Sequence, residues 1–204
     1  MKASRLHITR LVLATGLILA AVLAQTSAAA NVQTVPIIKT VPIINVYSHR
    51  PLDIVPGGRA ASTQPYANAF LWKYPEKQFD LIYSVGGNTR AFKIRNPDSG
   101  LCLMLDFRAP YRNGTRVIQY DCSAPKRSKW WYMVRIDDAP APPGEPQSDY
   151  PYMLLVKNNY TRKCLDADNG AGGSPPKAAV LQQWDCISYL DDWNVGNQLW
   201  RDYQ

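Results

Sequence analysis

Cys164-Leu165-Asp166, then Leu181-Gln182-Gln183-Trp184-Asp185-Cys186, then Asn197-Gln198-Leu199-Trp200: the spacing of these three pieces decides the fold. Working outward, the same order recurs upstream. Val156 stands eight residues before Cys164 with turn formers between, and Ile94 stands eight residues before Cys102 in the same way. Val117-Ile118-Gln119-Tyr120-Asp121-Cys122 matches Leu181 to Cys186, with an aliphatic residue five before the cysteine and an aromatic two before it. Trp130-Trp131-Tyr132-Met133 closes that block as Asn197 to Trp200 closes the last one. A third, worn copy lacks the cysteines. Pro51-Leu52-Asp53-Ile54 stands where Cys164-Leu165-Asp166 stands, Ala69-Phe70-Leu71-Trp72-Lys73-Tyr74 where Leu181 to Cys186 stands, and Gln78-Phe79-Asp80-Leu81 closes it. The spans 51–74, 102–122 and 164–186 are 23, 20 and 22 residues. Agreement this close across three copies marks an internal repeat.

The apolar segments are short, punctuated by Gly, Pro and Asn, and almost without helical periodicity, which is the pattern of an all-β chain. Three similar units, each needing its neighbours to bury an apolar face, imply a threefold β architecture. The repeats fall at about 43–86, 91–136 and 152–204. Ala139-Pro140-Ala141-Pro142-Pro143-Gly144-Glu145-Pro146 reads as part of a surface insertion over 137–151. Residues 31–42, with the near-duplicate Thr-Val-Pro-Ile-Ile, read as an extended lead-in, either lying on the barrel or flexible.

Residues 1–30 have the three parts of a secretory signal: Lys2, Arg5 and Arg10, the apolar run Leu11–Ala24, and the small-residue exit Ala28-Ala29-Ala30. The run of 14 residues is too short for a membrane span, which takes about 20. No second apolar run follows, so the expectation is an exported chain, secreted or periplasmic, without a transmembrane segment. The whole chain carries a formal charge of +7, and 31–204 has 20 basic against 16 acidic residues, or +4. Charged residues are 19% of the chain, which argues against a nucleic-acid partner. His49 is the one histidine after residue 30, so a histidine-rich metal site is excluded and any catalytic triad would have to use that residue. No cofactor is expected.

Cys102, Cys122, Cys164 and Cys186 form an even set in an exported chain, which reads as disulfides. Of the three connectivities, the equal spacing favours Cys102–Cys122 and Cys164–Cys186. The C-x2-4-C spacing of a zinc site is absent.

Cys-Leu-Asp, Gln-x-Trp-x-Cys and Asn-Gln-x-Trp together resemble the ricin B-chain type lectin domain, a β-trefoil with one potential sugar site in each repeat. The resemblance spans about residues 43–204 and is most specific in the third repeat. It implies disulfides closed within repeats, in agreement with the spacing. It also implies a sugar-contacting set in the third repeat: Asp166, Gln182, Trp184, Asn197 and Gln198. Such a set makes chemical sense. A carboxylate accepts charge-assisted hydrogen bonds from sugar hydroxyls, a tryptophan face packs on the apolar face of a ring, and amides satisfy what remains. Galactose presents that apolar face because of its axial hydroxyl, so galactose or N-acetylgalactosamine is the ligand the resemblance implies. The first repeat keeps Asp53 and Trp72 but has Phe70 in the glutamine position, a weakened second site. In the second repeat Met104 and Ile118 replace the aspartate and glutamine, which should leave it dead for this ligand. One good site gives a dissociation constant near a millimolar, about 4 kcal/mol.

Plainer roles compete for the same residues. Trp131 and Trp200 read as core. Asp166 could serve only the turn that follows it. Arg108, Arg112, Arg116, Lys126, Arg127, Lys129 and Arg135 surround Trp130 and Trp131, either as a solvated face or as a patch for anions. The expected function is a secreted, non-enzymatic lectin. One alternative is the cell-binding subunit of a multi-component toxin, similar to those of cytolethal distending toxins, with a toxin or enzyme partner. A less favoured one is an inhibitor resembling the Kunitz trefoils, whose disulfide loops are unequal.

Overall fold

The computed structural model describes residues 38–54, 64–72, 77–84, 90–137, 141–142, 144–168, 179–186 and 196–202. The expected signal at 1–30 and the first part of the lead-in lie outside them. The described strands, in chain order, are β1 (Ile38–Asn45), β2 (Arg50–Asp53), β3 (Phe70–Leu71), β4 (Gln78–Tyr83), β5 (Phe92–Arg95) and β6 (Cys102–Leu105). They continue with β7 (Thr115–Tyr120), β8 (Trp131–Asp137), β9 (Tyr152–Asn158), β10 (Cys164–Ala167), β11 (Leu181–Trp184) and β12 (Trp200–Asp202).

Six of these close a barrel. β1 pairs with β4, β4 with β5, β5 with β8, β8 with β9, β9 with β12, and β12 returns to β1, every pair antiparallel. Closure leaves the barrel no free strand edge. The other six form three hairpins, β2–β3, β6–β7 and β10–β11, carried by β1, β5 and β9. A six-stranded barrel with three hairpins is a β-trefoil. The first strand begins at Ile38 and runs beside β4 from Ile38↔Ile82 to Pro42↔Gln78, so five residues of the 31–42 segment belong to the barrel. Pro42 fits because it lies opposite the first residue of its partner strand, where the ladder ends and a missing N–H costs little.

Register makes the three repeats superimpose residue by residue. Asp53 lies opposite Phe70, Met104 opposite Ile118 and Asp166 opposite Gln182. One residue earlier, Leu52, Leu103 and Leu165 are each fully buried. Phe79, Trp131 and Trp200 occupy one equivalent position on the barrel, facing Val41, Phe92 and Leu154. The two tryptophans each donate from Nε1 to a hairpin carbonyl, Trp131 to Leu103 at 3.0 Å and Trp200 to Leu165 at 3.1 Å. All these side chains share one apolar core drawn from the three repeats.

Before each hairpin the chain turns in the same way. Asn45, Asn96 and Asn158, each six residues before Pro51, Cys102 and Cys164, are fully buried. Asn96 and Asn158 accept backbone N–H bonds from two residues on, and Asn45 accepts from Ser48. Four residues after each asparagine the backbone enters the left-handed region, at His49 (φ 52°), Gly100 (φ 70°) and Arg162 (φ 64°). His49 is thus a turn residue. The first repeat, expected at about 43–86, matches the other two in sequence only from Pro51, so this asparagine carries no mark there.

The disulfides are Cys102–Cys122 and Cys164–Cys186, with separations of 20 and 22 residues, and no cysteine is left free. By loop entropy each contributes about 3 kcal/mol. β8 and β9, on either side of the insertion expected at 137–151, stay in register from Trp131↔Asn158 to Asp137↔Tyr152.

Candidate functional site

Side chains of directly opposed residues project from the same face of a sheet. The pairs Asp166↔Gln182 and Cys164↔Trp184 therefore put the carboxylate, the glutamine and the tryptophan on one face of the β10–β11 hairpin. The opposite face, with Leu165, Leu181 and Gln183, turns into the protein. The Asn197-Gln198 pair arrives from the turn before β12. That turn is fixed at Gly196, whose carbonyl accepts from Asn45 Nδ2 at 2.7 Å. A Cβ at Gly196 would lie 2.4 Å from the Tyr47 ring, so only glycine lets the chain pass there.

Three residues of the expected third-repeat set, Gln182, Asn197 and Gln198, converge on the fourth, Asp166, and Trp184 lies on the same sheet face. Its Oδ1 accepts from Gln182 Nε2 at 3.0 Å, and its Oδ2 accepts from Asn197 Nδ2 at 2.7 Å and Gln198 Nε2 at 2.9 Å. Asp166, Asn197 and Gln198 are buried, whereas Trp184 is 42% exposed beside them. Burial pushes the Asp166 carboxyl above the usual aspartate range, against the opposing pull of Gln182 and Gln198, and the nearby Asp168 adds to the rise. A carboxylate offers about four acceptor positions, and three are taken. One therefore remains for a ligand hydroxyl. A second acceptor lies beside it: Asn197 Oδ1 is buried without a hydrogen-bond partner among the described residues. An exposed indole on the same face as a recessed pair of acceptors suits a small ring with one apolar face and adjacent hydroxyls.

A neighbouring repeat completes the wall. β11 pairs with β7 through Gln182↔Arg116 and Gln183↔Thr115. Gly114, at φ 82°, donates its N–H to Gln183 O at 3.0 Å. A Cβ there would lie 3.8 Å from Gln182 Oε1 and 3.9 Å from Trp184 Cζ3. Asn113 brackets Asp185, accepting from its N–H at 3.0 Å and donating to its Oδ2 at 2.8 Å. Lys163 Nζ joins both, donating to Asn113 Oδ1 at 2.8 Å and pairing with the Asp185 carboxylate. Lys163 and then Asn113 hold that carboxyl below its ordinary range. This inter-repeat clamp fixes the residue next to Trp184. It was invisible in the sequence, because nothing in either repeat alone marks the contact.

The other two repeats differ at the same positions. In the first, Asp53 faces the apolar Phe70, spends Oδ1 on Ile54 N–H at 2.6 Å, and has Lys77 Nζ 3.8 Å away. Trp72 is half-buried beside it, its backbone N–H bound to Pro51 O at 3.0 Å. In the second, Met104 and Ile118 are fully buried, and Tyr120, in the Trp184 position, is covered by Tyr66 at 4.9 Å and Phe107 at 5.1 Å. The basic residues of this repeat do not form one patch. Arg108 is bound to Asp106, Arg135 to Asp137, and the buried Lys129 donates to the carbonyls of Cys122 and Ala124.

No protein-family model matches the chain, and no curated protein sequence does either. Solved structures do. A designed threefold-symmetric protein, ThreeFoil, is similar with a TM-score of 0.59 and 21% identity over 81% of this chain and 98% of its own. A ricin B-like lectin from Macrolepiota procera, solved in complex with lactose, gives 0.54 and 17% over 80% of this chain and 94% of its own. The cytolethal distending toxin of Haemophilus ducreyi gives 0.52 and 12% over 79% and 80%. At these identities the likeness is one of fold. With the closed barrel and its three equivalent hairpins, it makes this chain a β-trefoil.

Proposed function

We propose that the protein is a secreted, non-enzymatic carbohydrate-binding protein that takes galactose- or N-acetylgalactosamine-type glycans at the third repeat. One observation carries this reading. Of the three equivalent hairpins, the third alone has an aspartate opposite a glutamine, an exposed tryptophan two residues on, and two further amides closing on the carboxylate. The three amide donors orient the last acceptor position of the carboxylate. The similarity to a lectin bound to lactose supports the choice of ligand. Export is supported by the two disulfides, and no described helix is long and apolar enough to cross a membrane. The similarity to a cytolethal distending toxin favours a second reading, in which the same domain delivers a toxin or enzyme partner to a glycosylated surface. The Kunitz alternative is disfavoured because the two loops are nearly equal.

A glycan array with free galactose as competitor tests the reading. Binding to galactose-terminated glycans that free galactose displaces is expected. Absence of binding, or binding confined to glycans without galactose or N-acetylgalactosamine, would contradict it.

Binding should also depend on pH. The charge-assisted bond to a hydroxyl needs the Asp166 carboxyl ionised, and its folded pKa is raised. Affinity is then present above that raised pKa and is lost as pH falls through it, above the value of about 3.9 typical of aspartate. Fold stability runs the other way. A raised folded pKa means the native state holds the proton more readily, so this group's contribution is greatest at low pH and declines as pH rises. Calorimetric titrations of galactose at a series of pH values should therefore show binding fading before the fold does. Affinity that stays constant down to the ordinary aspartate range would contradict the assignment of Asp166.

A further inference from the structure

The sheet face that carries Asp166 and Gln182 does not stop at the third repeat. Gln182 lies opposite Arg116 on β7, and the Arg116 carbonyl accepts from Asp106 N–H at 2.9 Å at the end of β6. The line Asp166, Gln182, Arg116, Asp106 thus crosses four neighbouring strands, and Arg116 is exposed at its third step. At about 4.8 Å per strand, that places Arg116 roughly 10 Å from Asp166, about the reach of the next sugar or of a substituent on the first. Beside Arg116 is an open cavity of about 300 Å³ lined by Asp106, Pro110, Arg112, Gly114 and Arg116 among others. Gly114 lines this cavity, and a Cβ built on it would come within 4 Å of Gln182 Oε1 and Trp184 Cζ3. The cavity and the sugar shelf thus approach one another at Gly114, which carries no side chain.

The charge in this cavity is one-sided. Its one lining carboxylate, Asp106, is closed by Arg108 in a two-point pair, Nε to Oδ1 at 2.8 Å and Nη2 to Oδ2 at 2.7 Å. Arg108, with a smaller contribution from Arg116, holds that carboxyl below its usual range and keeps it ionised and paired. Arg112 and Arg116 are both exposed, and they leave the cavity a net positive lining. Guanidinium groups bind sulfate and carboxylate oxygens through paired N–H donors.

We infer that the Arg112–Arg116 cavity is a second subsite, which selects galactosides carrying a sulfate or a carboxylate next to the sugar held at Asp166. This rests on the third-repeat reading and adds to it a choice of ligand. The neutral ring sits on Trp184 and Asp166, and the anionic group extends past Gly114 to the two arginines. A repeat that has lost its own sugar-binding residues thereby serves the repeat beside it.

Calorimetric titration of the full oxidised chain with lactose, sulfated lactose and sialyllactose tests this, using wild type and the Arg112→Gln/Arg116→Gln variant. Both substitutions are on exposed side chains, so the fold is not at stake. At low salt wild type should bind one or both acidic sugars about fivefold more tightly than lactose. The variant should lose that gain and bind lactose as before, and the gain should shrink in high salt. The two acidic ligands distinguish a sulfate from a carboxylate as the preferred group. Lactose binding with no gain for either acidic sugar overturns the subsite and leaves the galactoside reading standing, as does a gain that survives in the variant. Failure of wild type to bind any of the three overturns both. Capture of a galactose-free sulfated polymer that persists in Asp166→Asn also overturns the subsite, because the cations would then act away from the sugar shelf.

Discussion

Asp166→Asn should abolish detectable binding of galactosides while leaving a folded protein. The substitution keeps the shape of the side chain and removes its charge. Asparagine has one oxygen in place of two, and its NH2 group must face amide donors that formerly pointed at a carboxylate. Turned one way it orphans Gln182; turned the other it orphans Asn197 and Gln198. Either way the acceptor position left for a hydroxyl is compromised. A hydrogen bond to a charged group is worth about 1.5–3 kcal/mol, so a constant near a millimolar weakens by roughly tenfold to more than a hundredfold. The effect on stability is smaller because two consequences oppose each other: an orphaned buried donor costs stability, and removal of a charge from a buried site returns some. A shift of the thermal midpoint within about 4 °C at neutral pH is expected. Calorimetric titration beside a thermal melt checks both halves. Galactose binding as tight as wild type would contradict the role given to Asp166.

Trp200→Ala should be among the most damaging single changes to the fold, lowering stability by about 3–5 kcal/mol out of a total of about 5–15. The indole is fully buried in the shared core, and its loss leaves a cavity and an unpaired Leu165 carbonyl. Trp200→Phe should cost much less, since Phe79 fills the equivalent position in the first repeat with a phenyl ring and no hydrogen bond. Urea denaturation of the three proteins should rank them wild type, Phe, Ala. Because Leu165 precedes Asp166, the alanine variant should also weaken galactoside binding where it remains folded. Equal stability of the alanine variant and wild type would contradict the placement of Trp200 in the core.

The repeat was legible because its most informative residues are held by constraints that act within a hairpin. A disulfide fixes Cys164 against Cys186, cross-strand pairing fixes Asp166 against Gln182, and both leave a spacing that survives in sequence. Trp131 and Trp200 were legible for a similar reason, since each closes a repeat and buries its indole over that repeat's own hairpin. The start of the barrel was less clear, because Pro42 looks like a breaker until its place at the end of a ladder is known. Asn45 was hidden by the absence of a cysteine after it, although the same asparagine stands six residues ahead of both cysteines that open hairpins. The bond between Asn113 and Asp185 and the line from Gln182 to Arg116 join different repeats, and their sequence separation carries no mark of the contact. The apparent basic cluster of the second repeat was misleading for the same reason. Carboxylates and carbonyls met only in the fold absorb Arg108, Lys129 and Arg135.

The most direct test of the account is a two-dimensional nitrogen–proton NMR titration of the oxidised protein with galactose, read at side-chain N–H groups. The indole signal of Trp184 and the amide signals of Gln182, Asn197 and Gln198 should move together and saturate with one constant, while those of the buried Trp131 and Trp200 stay in place. A titration that moves Trp72 or Trp130 and leaves Trp184 unmoved, or moves no side chain at all, would contradict the assignment of the third repeat as a sugar site.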